Sequence, residues 1–435
     1  MGRIFGAVTA ALVATAAPLL PANAAPVDLV TLYKDLHAHP ELGFQEVRSA
    51  GILAAEARAA GFAVTEKVGR TGVVAVLKNG AGPTVLIRAD MDGLPVQEAT
   101  GLPYASIDKG HYDGGEDTPV MHACGHDIHM AVWVGTARWL AANKGAWKGT
   151  VVMVAQPAEE ISGGARAMID DGLFTRFPKP DVAIALHDDS RIPAGTVSVP
   201  QYRALSTASF MDVHVKGIGG HGAYPSTTKD PVVLASRIVT ALQTLVSREN
   251  DPFQPAVVTV GSIHGGTKHN IIPDDVKLQL TIRSYDAAQQ QRLLDGIQRV
   301  AKGEAIAAGI PDALMPTFKL GPGAPPTLND TPTAGKLKAA FEAKLGQTAS
   351  GGSRVVELDP SMASEDFNLF GTEARIPSVI WWLGGVPQNR WDAAQKGGPA
   401  IPSLHNAGWA PDPAPTIATG VETMAAAVTA LMPAG

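Results

Sequence analysis

Past a long uncharged start, the chain alternates between two hydrophobic periods. Val27–His37 and Ser49–Ala60 repeat apolar residues at the three- and four-residue spacing of amphipathic helices, and Phe62–Thr65, Gly72–Leu77 and Thr84–Ala89 read as strands. His126–Ala142 is apolar around most of its circumference, which predicts a buried helix. Thr150–Ala155 and Val182–Leu186 are short apolar runs bounded by turn residues, the pattern of strands buried on both faces. Strands that alternate with helices predict an α/β domain with a mostly parallel central sheet, which gathers ligands at the carboxyl ends of its strands.

From about Ser206 to Lys319 the texture changes. Phe210–Val215 alternates, Pro231–Val246 is helical, Ala256–Ile263 and Val276–Ser284 are strands, and Gln289–Ala308 is helical. This order matches a split βαβ, ferredoxin-like unit. Gly and Pro at Gly217–Gly222 and Gly321–Pro326 mark turns or hinges. The expected layout is an α+β domain at 205–320 inserted into an α/β domain made of residues 26–204 and 321–435, with hinges near Ala204–Ser206 and Leu320–Ala324.

Residues 1–25 are set aside as an export signal. One charge, Arg3, precedes an uncharged run from Ile4 to Leu20, and Ala22-Asn23-Ala24 fits a signal-peptidase site. The run is Ala-rich and contains Pro18, too weakly apolar for a stable membrane anchor. There is no twin-arginine pair, so general secretion to the periplasm or the medium is expected. Removing residues 1–24 takes away only Arg3, so 35 basic residues become 34 against 41 acidic ones and the net charge goes from −6 to −7. With no basic run, nucleic acid is not the expected partner. The single cysteine excludes an intramolecular disulfide framework.

The lone cysteine lies within the candidate chemistry. RADMDGLPV follows the Thr84–Ala89 strand and places Asp90 and Asp92 at i and i+2, pointing the same way from an extended segment. MHACGHDIH places His122, Cys124, His126, Asp127 and His129 at a helix entry; QPAEE follows another strand with Glu159 and Glu160; His187 follows the Val182–Leu186 run; and His405 lies in PSLHN. Any one of these alone is ordinary: a buried thiol, a solvated glutamate pair, a hydrogen-bonded histidine. Successive strand ends and a helix entry that each deliver Asp, Cys, His or Glu point to a metal site, and this donor set suits Zn, Mn, Co or Ni. A thiol nucleophile, Cys124 beside His126, is the competing chemistry.

RADMDGLPV, MHACGHDIH, QPAEE, ALH at 185–187, GGHGAYP at 219–225, NIIPD at 270–274, SEDF at 364–367 and LHN at 404–406 occur in the order of one metallopeptidase family. The chain resembles the aminoacylase and carboxypeptidase family, within it the subfamily of hippurate hydrolases, N-acyl-amino-acid amidohydrolases and plant auxin–amino-acid hydrolases. The resemblance implies a two-metal hydrolase domain with an inserted ferredoxin-like lid or dimerisation domain, and a homodimer or higher homo-oligomer. It implies two divalent ions per subunit. Cys124 would bridge them as thiolate, with His126, Glu160, His187 and His405 as further ligands. Glu159 would be the general base acting on a metal-activated water and returning the proton to the leaving nitrogen. His221 would stabilise the oxyanion, reaching in from a partner subunit; Asn270 and Arg283 would hold the substrate carboxylate; and Asp92 would support the ligands from behind. Asp90 stands where other branches carry a metal-binding His and is not assigned as a ligand, and His122 and His129 read as packing or buttressing groups.

Four positions depart from the usual pattern. Asp188-Asp189 follow His187 where relatives carry an apolar residue and a proline, Ser226 replaces a second His, and His269 replaces a small residue. The implied activity is hydrolysis of the amide bond of N-acyl or N-aroyl amino acids. A carboxypeptidase or dipeptidase on the same site is the alternative, and Asp188 and Asp189 give it weight, because a free substrate ammonium needs an acidic partner.

Overall fold

The computed structural model describes residues 27–112, 115–321, 323–348 and 351–434; the export segment read at 1–25 lies outside them. Among the described residues a seven-stranded sheet runs in the order Ala63–Val68, Gly72–Asn79, Gly149–Gln156, Thr84–Asp90, Val182–Pro193, Ser378–Val386, Val197–Ser198. The four strands from Gly149–Gln156 to Ser378–Val386 are mutually parallel and the flanking pairs antiparallel. The continuous apolar runs follow from burial on both faces. Val85, Ile87, Val151, Met153 and Ile184 enter one core, under the helices Leu29–Ala38, Val47–Ala59, His126–Ala142, Thr331–Leu345 and Pro413–Leu431, while Leu86, Val152, Val154, Ala183 and Ala185 enter a second core with Phe367 and Phe370.

Val182–Pro193 is a correction. The apolar run ends at Leu186, but the strand continues because Trp382, Leu383 and Gly384 of its parallel neighbour pair with His187, Asp188 and Asp189. His187 therefore lies within a strand rather than after one.

A separate four-stranded antiparallel sheet runs Ala256–Gly265, Asp275–Ser284, Ser209–Lys216, Thr317–Leu320. Numbered along the chain this order is 2-3-1-4, the ferredoxin-like arrangement. Helices Pro231–Ser247 and Ala287–Ala307 cover one face, over a core of Val213, Val215, Leu278, Ile282, Ile238 and Ile297. The unit joins the first through short contacts: Ala208 pairs with Ala324, and the Ser206 N–H lies 3.2 and 2.9 Å from the carbonyls of Ser361 and Ala363. Among the described residues no helix is long and apolar enough to cross a membrane.

Candidate metal centre and active site

The carboxyl ends of the parallel strands converge with one helix N-terminus. Cys124 and His126 flank Gly125, which has φ +75° and starts the His126–Ala142 helix; a Cβ there would lie 2.3 Å from the Asp188 carboxylate, so only glycine fits. His405 comes from a distant loop whose backbone is itself strained, φ +66°, and whose N–H bonds the Ala123 carbonyl at 2.8 Å.

Two of the donor groups overlap at Cys124. Cys124, His126 and His187 offer ligand atoms within 4.8 Å of one another, and so do Cys124, Glu160 and His405. Cys124 Sγ belongs to both, 3.6 Å from His187 Nε2 and 3.2 Å from His405 Nε2, and His405 Nε2 is 3.5 Å from Glu160 Oε2. The His187 Nδ1–H donates to the Asp188 carbonyl at 2.7 Å, leaving Nε2 as the free donor atom. Glu159 is 7% exposed, with Oε2 4.0 Å from His126 Nε2.

A buried polar layer holds these groups from behind. Asp92 Oδ1 accepts the Glu159 N–H and Oδ2 the Glu160 N–H, both at 3.0 Å, and Oδ1 lies 3.5 Å from His126 Nδ1. His129 is not a ligand in this geometry: its Nε2 accepts the Asp188 N–H at 2.8 Å, so its Nδ1 carries the hydrogen toward Asp90 Oδ1, 2.5 Å away. Asp90 is also bound by Arg88 at 2.5 Å, and Arg88 reaches Glu365 at 2.7 and 3.2 Å. Burial disfavours the Asp90 charge, but Arg88, His126 and His129 outweigh it and hold the carboxylate ionised. His122 is buried with neither ring nitrogen bonded, and burial pushes it down to about 4.

These donors open into a cleft of about 670 Å³. Phe210 and Arg283 enter it from the ferredoxin-like unit; Ile161, Arg191, Trp382 and Leu404 line the other walls. A groove of similar size on another face, about 730 Å³ beside Trp139 and the alanines of Pro413–Leu431, holds none of the metal-donor side chains, so the chemistry assigns the site to the cleft.

Residues 86–396 match the profile of peptidase family M20/M25/M40. The chain belongs to this family. It is similar to an N-acetylcysteine deacetylase of Bacillus subtilis (strain 168), 35% identical over 365 residues, 83% of this chain and 90% of that protein. It is also similar to a hippurate hydrolase of Campylobacter jejuni, 36% identical over 341 residues, 77% of this chain and 82% of the other. Among solved structures, a dinuclear metal-binding M20 peptidase of Bacillus subtilis superposes with a TM-score of 0.72 at 29% identity, covering 93% of this chain and 97% of that one.

The donor set of this M20 chain fits metal on its own terms. His126 Nε2 and Glu160 Oε1 are buried without a hydrogen-bond partner, a cost that a cation removes, while His126 Nδ1 faces Asp92 Oδ1. Burial pushes the Cys124 thiol and both glutamates up, Glu160 to about 7. His126 and His187 rise to about 9 because the surrounding acids outweigh burial. His405 moves the other way: burial and the neighbouring His126 and His187 push it down to about 4, which keeps its ring neutral and able to bind a cation. Buried acids beside His126 and His187 that hold protons this tightly mark an excess of negative charge, which divalent ions correct.

The structure brings Cys124, His126, Glu159, Glu160, His187 and His405 together, with Asp92 behind them and Arg283 across the cleft. It does not bring His221 or Asn270 there. His221 is exposed on a two-residue strand paired with Ile271–Ile272, the Asn270 carbonyl accepts the Gly222 N–H at 2.9 Å, and neither residue lines the cleft of its own chain. Sequence reasoning passed over Arg88 and Arg191; Arg88 stands out as a charge inside an apolar strand, whereas Arg191 ends the polar stretch His187–Arg191 and carries no such signal.

Proposed function

We propose that this chain is an exported amidohydrolase that cleaves the amide bond of N-acyl and N-aroyl amino acids, with Glu159 as the general base. The observation that carries the choice of an acylated substrate is the state of the two acids after His187. Asp188 is fully buried, within hydrogen-bonding distance of Trp409 Nε1 at 3.2 Å and against His129 and His187. Asp189 is gripped in a fork by Arg191 Nε and Nη2. Apart from the glutamates of the metal cluster, no acid lining the described cleft is left to hold a substrate ammonium, which weakens the dipeptidase alternative. Apolar surface from Phe210, Leu205, Trp382 and Leu404 suits an acyl or aroyl group. Arg283 bonds Ser364 and Thr281 but no carboxylate, so its guanidinium is available for the substrate carboxylate.

Cys124, His126, Glu160, His187 and His405 would hold two divalent ions, which would supply Lewis acidity to the scissile carbonyl and to water. Glu159 takes a proton from that water and delivers it to the leaving nitrogen, a role that needs a carboxylate beside the ligands and outside them. Arg283 fixes the carboxylate end, and the apolar walls exclude bulk water. The exposure of His221 and Asn270 supports a role for both in the cleft of a second copy, with His221 stabilising the oxyanion, which makes the active form a homodimer or higher homo-oligomer. Residues 1–24 direct export to the periplasm or medium and are removed.

The test is turnover of hippurate, other N-acyl amino acids and dipeptides by metal-reconstituted mature protein. N-acyl substrates are expected to dominate, and a preference for unblocked dipeptides overturns the acylated-substrate reading. Glu159→Gln is expected to keep its metal and lose on the order of 10²- to 10⁴-fold in kcat; near-normal kcat removes the base assignment.

A further inference from the structure

Glu159 and Glu160 are adjacent, yet both reach the cleft. Along a continuing strand, neighbouring side chains point to opposite faces. The chain escapes that constraint at Ala158, which follows the Gly149–Gln156 strand and Pro157 with φ +50°, in the left-handed region that costs an alanine conformational energy.

Such a turn persists only where its surroundings impose it. Here three consecutive main-chain N–H groups are tied to two buried carboxylates: Ala158 to Glu46 Oε1 at 2.7 Å, Glu159 to Asp92 Oδ1 and Glu160 to Asp92 Oδ2, both at 3.0 Å. Glu46 is fully buried at the start of the Val47–Ala59 helix, 112 residues before Ala158. Its Oε1 also accepts the Phe44 N–H at 2.9 Å and its Oε2 the Thr71 hydroxyl at 2.5 Å, so the carboxylate has one orientation. Gly43 permits the approach, since a Cβ there would lie 3.2 Å from Ala158 Cα and 3.3 Å from Asp92 Oδ2.

We propose that Glu46 is a positioning residue for the reaction: by holding the Ala158 N–H it maintains the left-handed turn that presents Glu159 and Glu160 to the same cleft. The inference rests on the reading of Glu159 as base and Glu160 as ligand. It separates two roles that Glu46 could have, since starting a helix and tying Thr71 are structural, whereas imposing a positive φ on Ala158 acts on the site.

The experiment compares Glu46→Ala, Ala158→Gly and the double variant in the mature protein, measuring kcat and KM with an N-acyl amino acid, Co²⁺ affinity of the metal-free protein, and Tm. Glu46→Ala is expected to lower kcat on the order of 10²-fold with KM within about threefold, and to weaken Co²⁺ binding through Glu160. Ala158→Gly alone stays near wild type. The double variant recovers at least about tenfold in kcat, because glycine takes positive φ without the clamp. A folded double variant no better than Glu46→Ala, or a Glu46→Ala variant with normal kcat and Co²⁺ affinity, overturns the proposal. If Glu46→Ala does not fold, Glu46→Gln keeps an acceptor oxygen and is expected to hold kcat within about threefold; a loss as deep as that of Glu159→Gln overturns it. Should Glu159→Gln itself retain turnover, the base reading fails, and the Co²⁺ arm still reports the turn through Glu160.

Discussion

Cys124 Sγ lies 3.2 Å from His405 Nε2 across 281 residues of sequence, and the same sulfur is 3.6 Å from His187 Nε2. One thiol thus belongs to both groups of candidate ligands. Burial and the neighbouring Glu160 and Glu159 push that thiol up, so a thiolate at this position needs adjacent cations to hold its charge. A serine hydroxyl is far less acidic and would not supply the charge that a thiolate at Cys124 would offer to metal. Cys124→Ser is expected to bind metal more weakly by more than roughly tenfold, with the content falling below two ions per chain by elemental analysis and kcat falling with it. Two ions retained at full affinity would show that Cys124 is not a ligand. A thiol-nucleophile mechanism differs in a second respect, since it survives a chelator.

Much of this centre was legible because its residues sit where local pattern changes. Asp90 and Gln156–Glu160 follow apolar runs, the Cys124–His126 helix entry precedes one, and the apolar stretch Met130–Gly135 matches a helix whose first twelve residues are all buried. The strand holding His187 runs past the apolar residues because His187, Asp188 and Asp189 break the apolar run yet stay in the sheet, with the Asp188 N–H bonded to His129, its Oδ2 to Trp409 and Asp189 to Arg191. The antiparallel flanks of the main sheet left no mark, since strand direction is not encoded in a run of apolar residues. The Pro413–Leu431 helix buries Ile417, Gly420, Met424 and Val428 in contact with the His126–Ala142 and Thr331–Leu345 helices, but alanines on its buried and exposed faces alike leave little contrast between them in the sequence. Glu46 and Arg88 were illegible in function because their partners, Ala158 and Glu365, are 112 and 277 residues away.

The Asp189–Arg191 pair makes a prediction about specificity. Arg191 holds both Asp189 oxygens, with Nη2 at 2.7 Å, and its guanidinium carbon sits 5.7 Å from the Trp382 ring centroid on the cleft wall. Arg191→Gln leaves Asp189 with only the main-chain N–H of residue 191 and no cation, so a substrate ammonium could replace the lost guanidinium. The ratio of kcat/KM for a dipeptide over the matching N-acyl amino acid is expected to rise by about tenfold. Asp189→Asn in the same background should cancel the rise. An unchanged ratio in Arg191→Gln means that the pair does not govern the choice between blocked and free amines.

Away from the chemistry, His37 ties the Leu29–Ala38 helix to the His126–Ala142 helix and makes a pH prediction. Its ring is fully buried, with Nδ1 2.6 Å from Asp127 Oδ2 and Nε2 3.1 Å from Glu98 Oε1. Burial alone lowers its proton affinity, but the hydrogen bonds and charges of Asp127 and Glu98 outweigh it and bring His37 up to about 9. In the unfolded chain a histidine titrates near about 6.5. The folded value is the higher one, so the stabilisation is fully present below about pH 6.5 and is lost as the pH rises through about 9, an effect on the order of 3 kcal/mol. Urea unfolding of metal-saturated protein is therefore expected to shift to lower midpoints between pH 6 and 9. The His37 ring, assigned in ¹⁵N-histidine spectra by its absence from His37→Gln, should remain protonated at pH 7.5. A ring that has already lost its proton at pH 7.5 would show that the two carboxylates do not hold His37 as a cation, and the pH slope would then belong to other groups.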